Sequence, residues 1–251
     1  MTGPKPIYQL GHTRFSLKHD DPDFEPVLRR LLPSCESQSV AEEQIIDIQM
    51  GLSLDIGECI SQVIGQHQGC FLLQAACLIS QSGQRVLISG APNSGKTTLA
   101  LALAFGHAWK VVAEDIVIID PEKNEITSNG APFNLKPGTR TVLSSAGIDI
   151  PGFVLREWFP IEQDMLGADG AASIGLSVHL DGQVTDSSIT CAPNTLSEHT
   201  RKFLAISNLL SVHGTNKFIE YLPEHSCYTI AGGSLTERLE KILELSADRA
   251  T

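Results

Sequence analysis

The octet Gly90-Ala91-Pro92-Asn93-Ser94-Gly95-Lys96-Thr97 constrains this chain more than any other stretch. It fills the pattern G-x-x-x-x-G-K-[ST]. An apolar run, Arg85 to Ser89, enters it, and a Leu- and Ala-rich run, Lys96 to Phe105, leaves it. A strand that turns tightly into a helix belongs to an α/β sheet. The pattern also has a chemical logic. A loop that folds back on itself points successive N–H groups at one anion, and the helix behind adds the positive end of its dipole. Gly95 lets the backbone approach without a Cβ in the way. Lys96 supplies a mobile cation, and the Thr97 hydroxyl is the expected magnesium ligand. We therefore expect residues Gly90, Ala91, Pro92, Asn93, Ser94, Gly95, Lys96, Thr97 and Thr98 to hold a nucleotide, ATP with Mg2+.

The flanking sequence fits an α/β chain. Phe71 to Ile79 reads as a buried strand, joined through Ser82-Gly83 to the strand at Arg85 in a hairpin. Lys110 to Val112 and Ile116 to Ile119 read as strands, Pro121 to Asn124 as a turn, and Glu125 to Thr127 as a returning strand. Before these, Ile7 to Leu17 and Glu43 to Leu52 alternate as strands do, and Phe24 to Leu32 suggests a short helix. This gives a small N-terminal α+β region, residues 1–66, ahead of a larger unit, residues 67–251. Residues Gly167 to Ser188 read as loops and short strands, and Thr195 to Val212 as a helix. Phe218 to Leu222 and Cys227 to Ile230 look like paired strands. Leu235 to Leu245 is an amphipathic helix with Leu235, Leu239, Ile242 and Leu245 on one face.

Phosphoryl transfer needs a carboxylate near the metal and a group to take the acceptor's proton. Glu114-Asp115 follows Lys96 by 18 and 19 residues, between two apolar strands. Asp115 is the candidate base and metal-associated carboxylate, with Glu114 and Lys96 beside it as catalytic candidates. Asp120 ends an apolar run as a metal-binding carboxylate would, but Pro121, Glu122, Lys123 and Asn124 follow, so it reads as a hairpin turn residue. Lys136 and Arg140 could reach the phosphates or the acceptor; ordinary surface charge explains them equally well. His107, after Gly106, reads as structural, at the helix end.

From Leu72 to Arg140, about 70 residues, the chain resembles the catalytic domain of HPr kinase/phosphorylase and its smaller relatives. The resemblance rests on Gly90 to Thr97, the helix Leu99 to Ala104, Gly106-His107, Glu114-Asp115 and the run Gly130-Ala131-Pro132-Phe133-Asn134-Leu135-Lys136. It implies a P-loop mixed sheet akin to phosphoenolpyruvate carboxykinase, and transfer of the ATP γ-phosphoryl group to a serine hydroxyl. Asp115 falls where the family's second acidic residue acts. Glu114 stands where the family usually has Asp, and Gln74 where it often has His.

Composition excludes other classes. The net charge is −11, with no dense Lys/Arg run, which argues against a nucleic-acid partner. No window approaches a membrane span and no apolar secretory segment is visible. The six cysteines form no C-x-x-C pair and read as reduced thiols. The expectation is a cytoplasmic protein with a nucleotide ligand and an unassigned acceptor, with homo-oligomerisation left open. The reading is a kinase acting on a hydroxyl of a protein, peptide or small molecule. A non-catalytic nucleotide sensor and a simple NTPase are the alternatives.

Overall fold

A computed structural model describes residues 6–10, 13–18, 25–32, 34–35, 45–49, 56–67, 69–151, 157–171, 173–184, 187–208 and 226–247. Two sheets dominate. The N-terminal one has four strands, β1 (Ile7–Leu10), β2 (Thr13–Lys18), β3 (Ser34–Cys35) and β4 (Ile45–Gln49), in the order β3-β1-β2-β4. Ile7 to Leu17, expected as one strand, is thus a hairpin of two. Helices α1 (Glu25–Leu31) and α2 (Ile56–Ile64) accompany this sheet. Ile56, Cys59, Ile60, Val63 and Ile64 are the buried face of α2.

The larger sheet is mixed and nine-stranded. Its strands are β5 (Phe71–Ile79), β6 (Arg85–Gly90), β7 (Lys110–Ala113), β8 (Ile116–Asp120), β9 (Glu125–Thr127), β12 (Gly170–Ala171), β13 (Leu176–Asp181), β14 (Thr190–Pro193) and β15 (Ser226–Ala231). Strands β6, β13 and β15 are parallel neighbours; β5 and β14 flank them antiparallel. Such strands are covered on both faces, so β6 (Arg-Val-Leu-Ile-Ser-Gly) is almost continuously buried rather than alternating. The stretch read as loops and short strands therefore contains a central strand, β13. Cys227 to Ile230 lies in β15, whose partners are β13 and β14; Phe218 to Leu222 lies outside the described residues. A two-stranded ribbon, β10 (Phe133–Asn134) with β11 (Trp158–Phe159), completes the strands.

Helix α3 (Lys96–His107) lies on one face with α4 (Thr139–Ser145) and α6 (Leu235–Ala247). Its Leu99 to Ala104 are all buried, so it is apolar all round. Alanine on alternate positions lets it sit close to the sheet, and Gly106 makes room for Ile148, whose Cδ1 would lie 3.3 Å from a Cβ there. The helix stops at His107, its last residue, because Ala108 turns left-handed at φ 54°. The opposite face packs Leu73, Ala75, Leu87 and Val117 against Phe203 of α5 (Leu196–Ala205). A capping box starts α5: Thr195 and Glu198 bond reciprocally.

One face of the sheet is shared between two covers. Ala76 and Leu78 of β5 join the core beneath α3, whereas Leu72, with Ile116 and Ile118 of β8, joins the core of the N-terminal sheet. Gln74 lies between them, at the seam.

Candidate functional site

The seam opens into a cleft of about 540 Å3. Its walls come from the loop after β6, the start of α3, the break between β7 and β8, the segment Asn134 to Val142, and Gln183-Val184 after β13. This is the carboxyl end of the parallel strands, where open α/β sheets present their loops.

The loop is shaped by three positive φ angles: Gly90 at 148°, Asn93 at 67° and Gly95 at 96°. Gly90 is required on two grounds. A Cβ there would lie 2.5 Å from the Leu180 carbonyl oxygen of β13 and 2.7 Å from Ser94 Oγ. Gly95 is the N-cap of α3, and no acidic residue stands in the first turn to offset the dipole. Lys96 Nζ donates to Gly90 O at 2.9 Å and Ala91 O at 3.1 Å, leaving one of its three N–H groups. Burial lowers the pKa of this ammonium, while Asp115 and Glu114 act to raise it. Lys136 Nζ donates to Asn93 Oδ1 at 2.6 Å and so joins the loop's far side.

The acidic pair sits at a break in one long strand. Strands β7 and β8 run along the same edge of β5, pairing Cys77 with Ala113 and Gln74 with Ile116. Between them Ile116 N–H donates to Glu114 O at 2.7 Å, closing a three-residue turn around Asp115 at φ 61°. A turn of this hand is rare for a non-glycine residue. It separates the two side chains: Glu114 is 4% exposed, whereas Asp115 is exposed at the cleft. Thr97 Oγ1 donates to Glu114 Oε1 at 2.5 Å. Burial pushes the Glu114 carboxyl up to about 7, partly offset by that hydrogen bond.

The expected site residues mostly converge. Lys96, Thr97, Thr98, Glu114, Asp115 and Lys136 line one cleft, with Pro92, Asn93 and Gly95. Glu114, rather than Asp115, is the carboxylate bonded to Thr97. Arg140 does not join them: its Nη2 donates to Pro151 O at 3.1 Å, and it is absent from the cleft wall. Asp120 is a turn residue, its Oδ1 accepting from Glu122 N–H and Lys123 N–H at 2.9 and 3.1 Å.

Thr97, Glu114 and Asp115 are able to hold a divalent cation. Their donors are hard oxygens, and no cluster of three or more His, Cys, Asp or Glu suited to a metal occurs among the described residues. That set suits Mg2+, which takes one or two carboxylates and shares the rest of its shell with phosphates and water.

One contributor was not foreseen. Arg238 of α6 is fully buried directly beneath the loop, its Nη1 donating to Ser94 O at 2.9 Å. The signal was present in the sequence. Arg238 falls between Leu235, Leu239 and Ile242 on the helix's apolar face, where a charge needs a reason.

Fold and cleft together define a mixed α/β chain with a glycine-rich loop between a parallel strand and a helix. No family model matches the chain, and no curated protein matches it in sequence. Among solved structures, the HPr(Ser) kinase/phosphatase from Coxiella burnetii is similar at 14% identity and a TM-score of 0.33, covering 70% of this chain and 92% of that chain. No described helix is long and apolar enough to cross a membrane.

Proposed function

We propose that the cleft binds ATP with Mg2+ and transfers the γ-phosphoryl group to a hydroxyl of a protein, peptide or small molecule, serine being the expected acceptor in a polypeptide. The observation that carries this reading is the Thr97–Glu114 hydrogen bond of 2.5 Å at the base of a cleft that also holds Lys96 and Asp115. A loop with an anion cradle and nothing else would serve binding. Two carboxylates against it, one buried and one open, equip it for transfer.

The roles divide by environment. The loop N–H groups and Lys96 hold phosphate oxygens. Thr97 and Glu114 would hold the magnesium ion, which when bound offsets phosphate charge. Asp115, exposed in the cleft, takes the proton of the acceptor hydroxyl. The acceptor oxygen forms its bond to the γ phosphorus, the bond to the β–γ bridging oxygen breaks, and ADP leaves. Lys136 and Asn134 line the same cleft and would be within reach of the phosphates or the acceptor.

The test is to incubate the protein with γ-labelled ATP, Mg2+ and a size-fractionated extract, then find the labelled fraction. Label on a protein, peptide or metabolite supports transfer; label only in free phosphate supports hydrolysis instead. With the acceptor in hand, Asp115→Asn should lower turnover by about 100-fold or more and leave ATP affinity within about twofold. Full turnover in that variant would remove Asp115 from the role of base.

A further inference from the structure

Arg238 has no carboxylate within ion-pair reach among the described residues, yet it is wholly buried. Its donors all go to main-chain carbonyls: Nε to Gly232 O at 2.8 Å, Nη1 to Ser94 O at 2.9 Å, and Nη2 to Gln183 O at 2.7 Å with Gly182 O at 3.5 Å. A buried cation is ordinarily matched by an anion from the protein. Here the described residues of three loops supply only dipoles, and one of those loops is the anion cradle.

Ser94 O and the Gly95 N–H belong to one peptide unit. The bond between them is trans, as are all peptide bonds among the described residues, so the two groups point in opposite directions. With the carbonyl directed down at Arg238, the N–H is directed up, and Gly95 lines the cleft. That N–H donates to no group among the described residues. A charge-assisted bond at a carbonyl draws electron density from the amide and makes its N–H a stronger donor.

We infer that Arg238 is a positioning residue for the phosphates: it fixes and polarises the Ser94–Gly95 peptide from beneath the loop, presenting the Gly95 N–H to the bound anion. The same guanidinium holds Gly182 and Gln183, so the cradle and the Gln183-Val184 wall are set together. A bound phosphate would be the anion that this buried charge lacks among the described residues. The inference rests on the nucleotide reading above, and its test separates the two.

Wild type, Arg238→Met and Arg238→Lys are compared below the unfolding temperature of each. The Gly95 amide nitrogen resonance is read in nucleotide-free protein, and affinity is read with ADP and ATP in the presence of Mg2+. In Arg238→Met the Gly95 resonance should move to lower frequency, and affinity for both nucleotides should fall by about tenfold or more. Arg238→Lys, which keeps the charge but reaches fewer carbonyls, should recover part of each. A folded Arg238→Met protein with wild-type resonance and wild-type affinity overturns the inference. If neither variant folds, wild type decides alone. In wild type, saturating ADP should slow guanidinium proton exchange at Arg238, because opening of its bonds to the loop is then opposed by the bound nucleotide. Unchanged exchange overturns the inference. Wild type that binds neither nucleotide overturns the nucleotide reading, and the inference with it.

Discussion

Glu114 and Asp115 are adjacent in sequence and differ in nearly everything else. Asp115 meets solvent at the cleft; Glu114 is buried and holds its proton up to about pH 7, against 4.5 for the ordinary group. Unfolded, Glu114 would release that proton near its ordinary value. Between the two values the folded state binds more protons than the unfolded one, so stability falls as pH rises through this window and levels off above it. A shift of this size corresponds to about 3 kcal/mol. Glu114→Gln should therefore flatten the stability profile from about pH 5 to pH 8, read from denaturant midpoints of metal-free protein. Parallel profiles for wild type and variant would contradict the burial account. The two roles were not separable in the sequence, because a two-residue acidic run says nothing about which side chain turns inward. What separates them is the backbone turn. Arg238, by contrast, was legible: a charge on the apolar stripe of an otherwise regular helix.

The element that creates the site is the interrupted strand β7–β8. Both halves pair with β5, and the interruption lies opposite Ala75, whose N–H donates to Asp115 O at 3.0 Å. The chain thus keeps a sheet bond through the turn, which holds Asp115 in its left-handed conformation. Asp tolerates that region better than most residues, and a β-branched side chain tolerates it poorly. Asp115→Val should cost about 1–2 kcal/mol of stability, whereas Asp115→Gly should be neutral or gain up to about 1 kcal/mol. Chemical denaturation measures both. Equal effects of the two would remove backbone strain from the explanation. At this scale the sequence was informative where patterns are strong. The strand, loop and helix around Gly90–Thr97, the turn at Asp120 and the helix at Leu235 all lie where periodicity put them. Strand β13 lay within a stretch read only as loops and short strands and was not singled out, because Leu176 to Asp181 sits among Gly, Ala and Ser residues, which blur its alternation. Helix α2 was missed although Ile56, Cys59, Ile60, Val63 and Ile64 recur at helical spacing.

Across the whole molecule, the two sheets share a core. Ile118 of β8, 1% exposed, packs with Leu28, Leu31 and Val63 in one cluster, together with Ala131, just before β10. The N-terminal region, which offered no chemistry in its sequence, covers the half of the sheet face that α3 leaves bare. Ile118→Ala should cost about 2–5 kcal/mol by transfer and cavity terms. A chain beginning at residue 67 should bind a hydrophobic dye and self-associate, since Leu72, Ile116 and Ile118 would form an open apolar patch. A monomeric, dye-silent truncation with wild-type melting would show that the face does not need its cover. This arrangement was beyond sequence patterning, because periodicity reports that a face is apolar and not which partner buries it.

Arg238 reaches Ser94 across 144 residues of chain. During synthesis the glycine-rich loop leaves the ribosome long before the arginine that seats it. The nascent chain therefore carries a complete motif with an unfinished scaffold. If the loop holds phosphate as proposed, a firm hold would arrive late in synthesis, with helix α6.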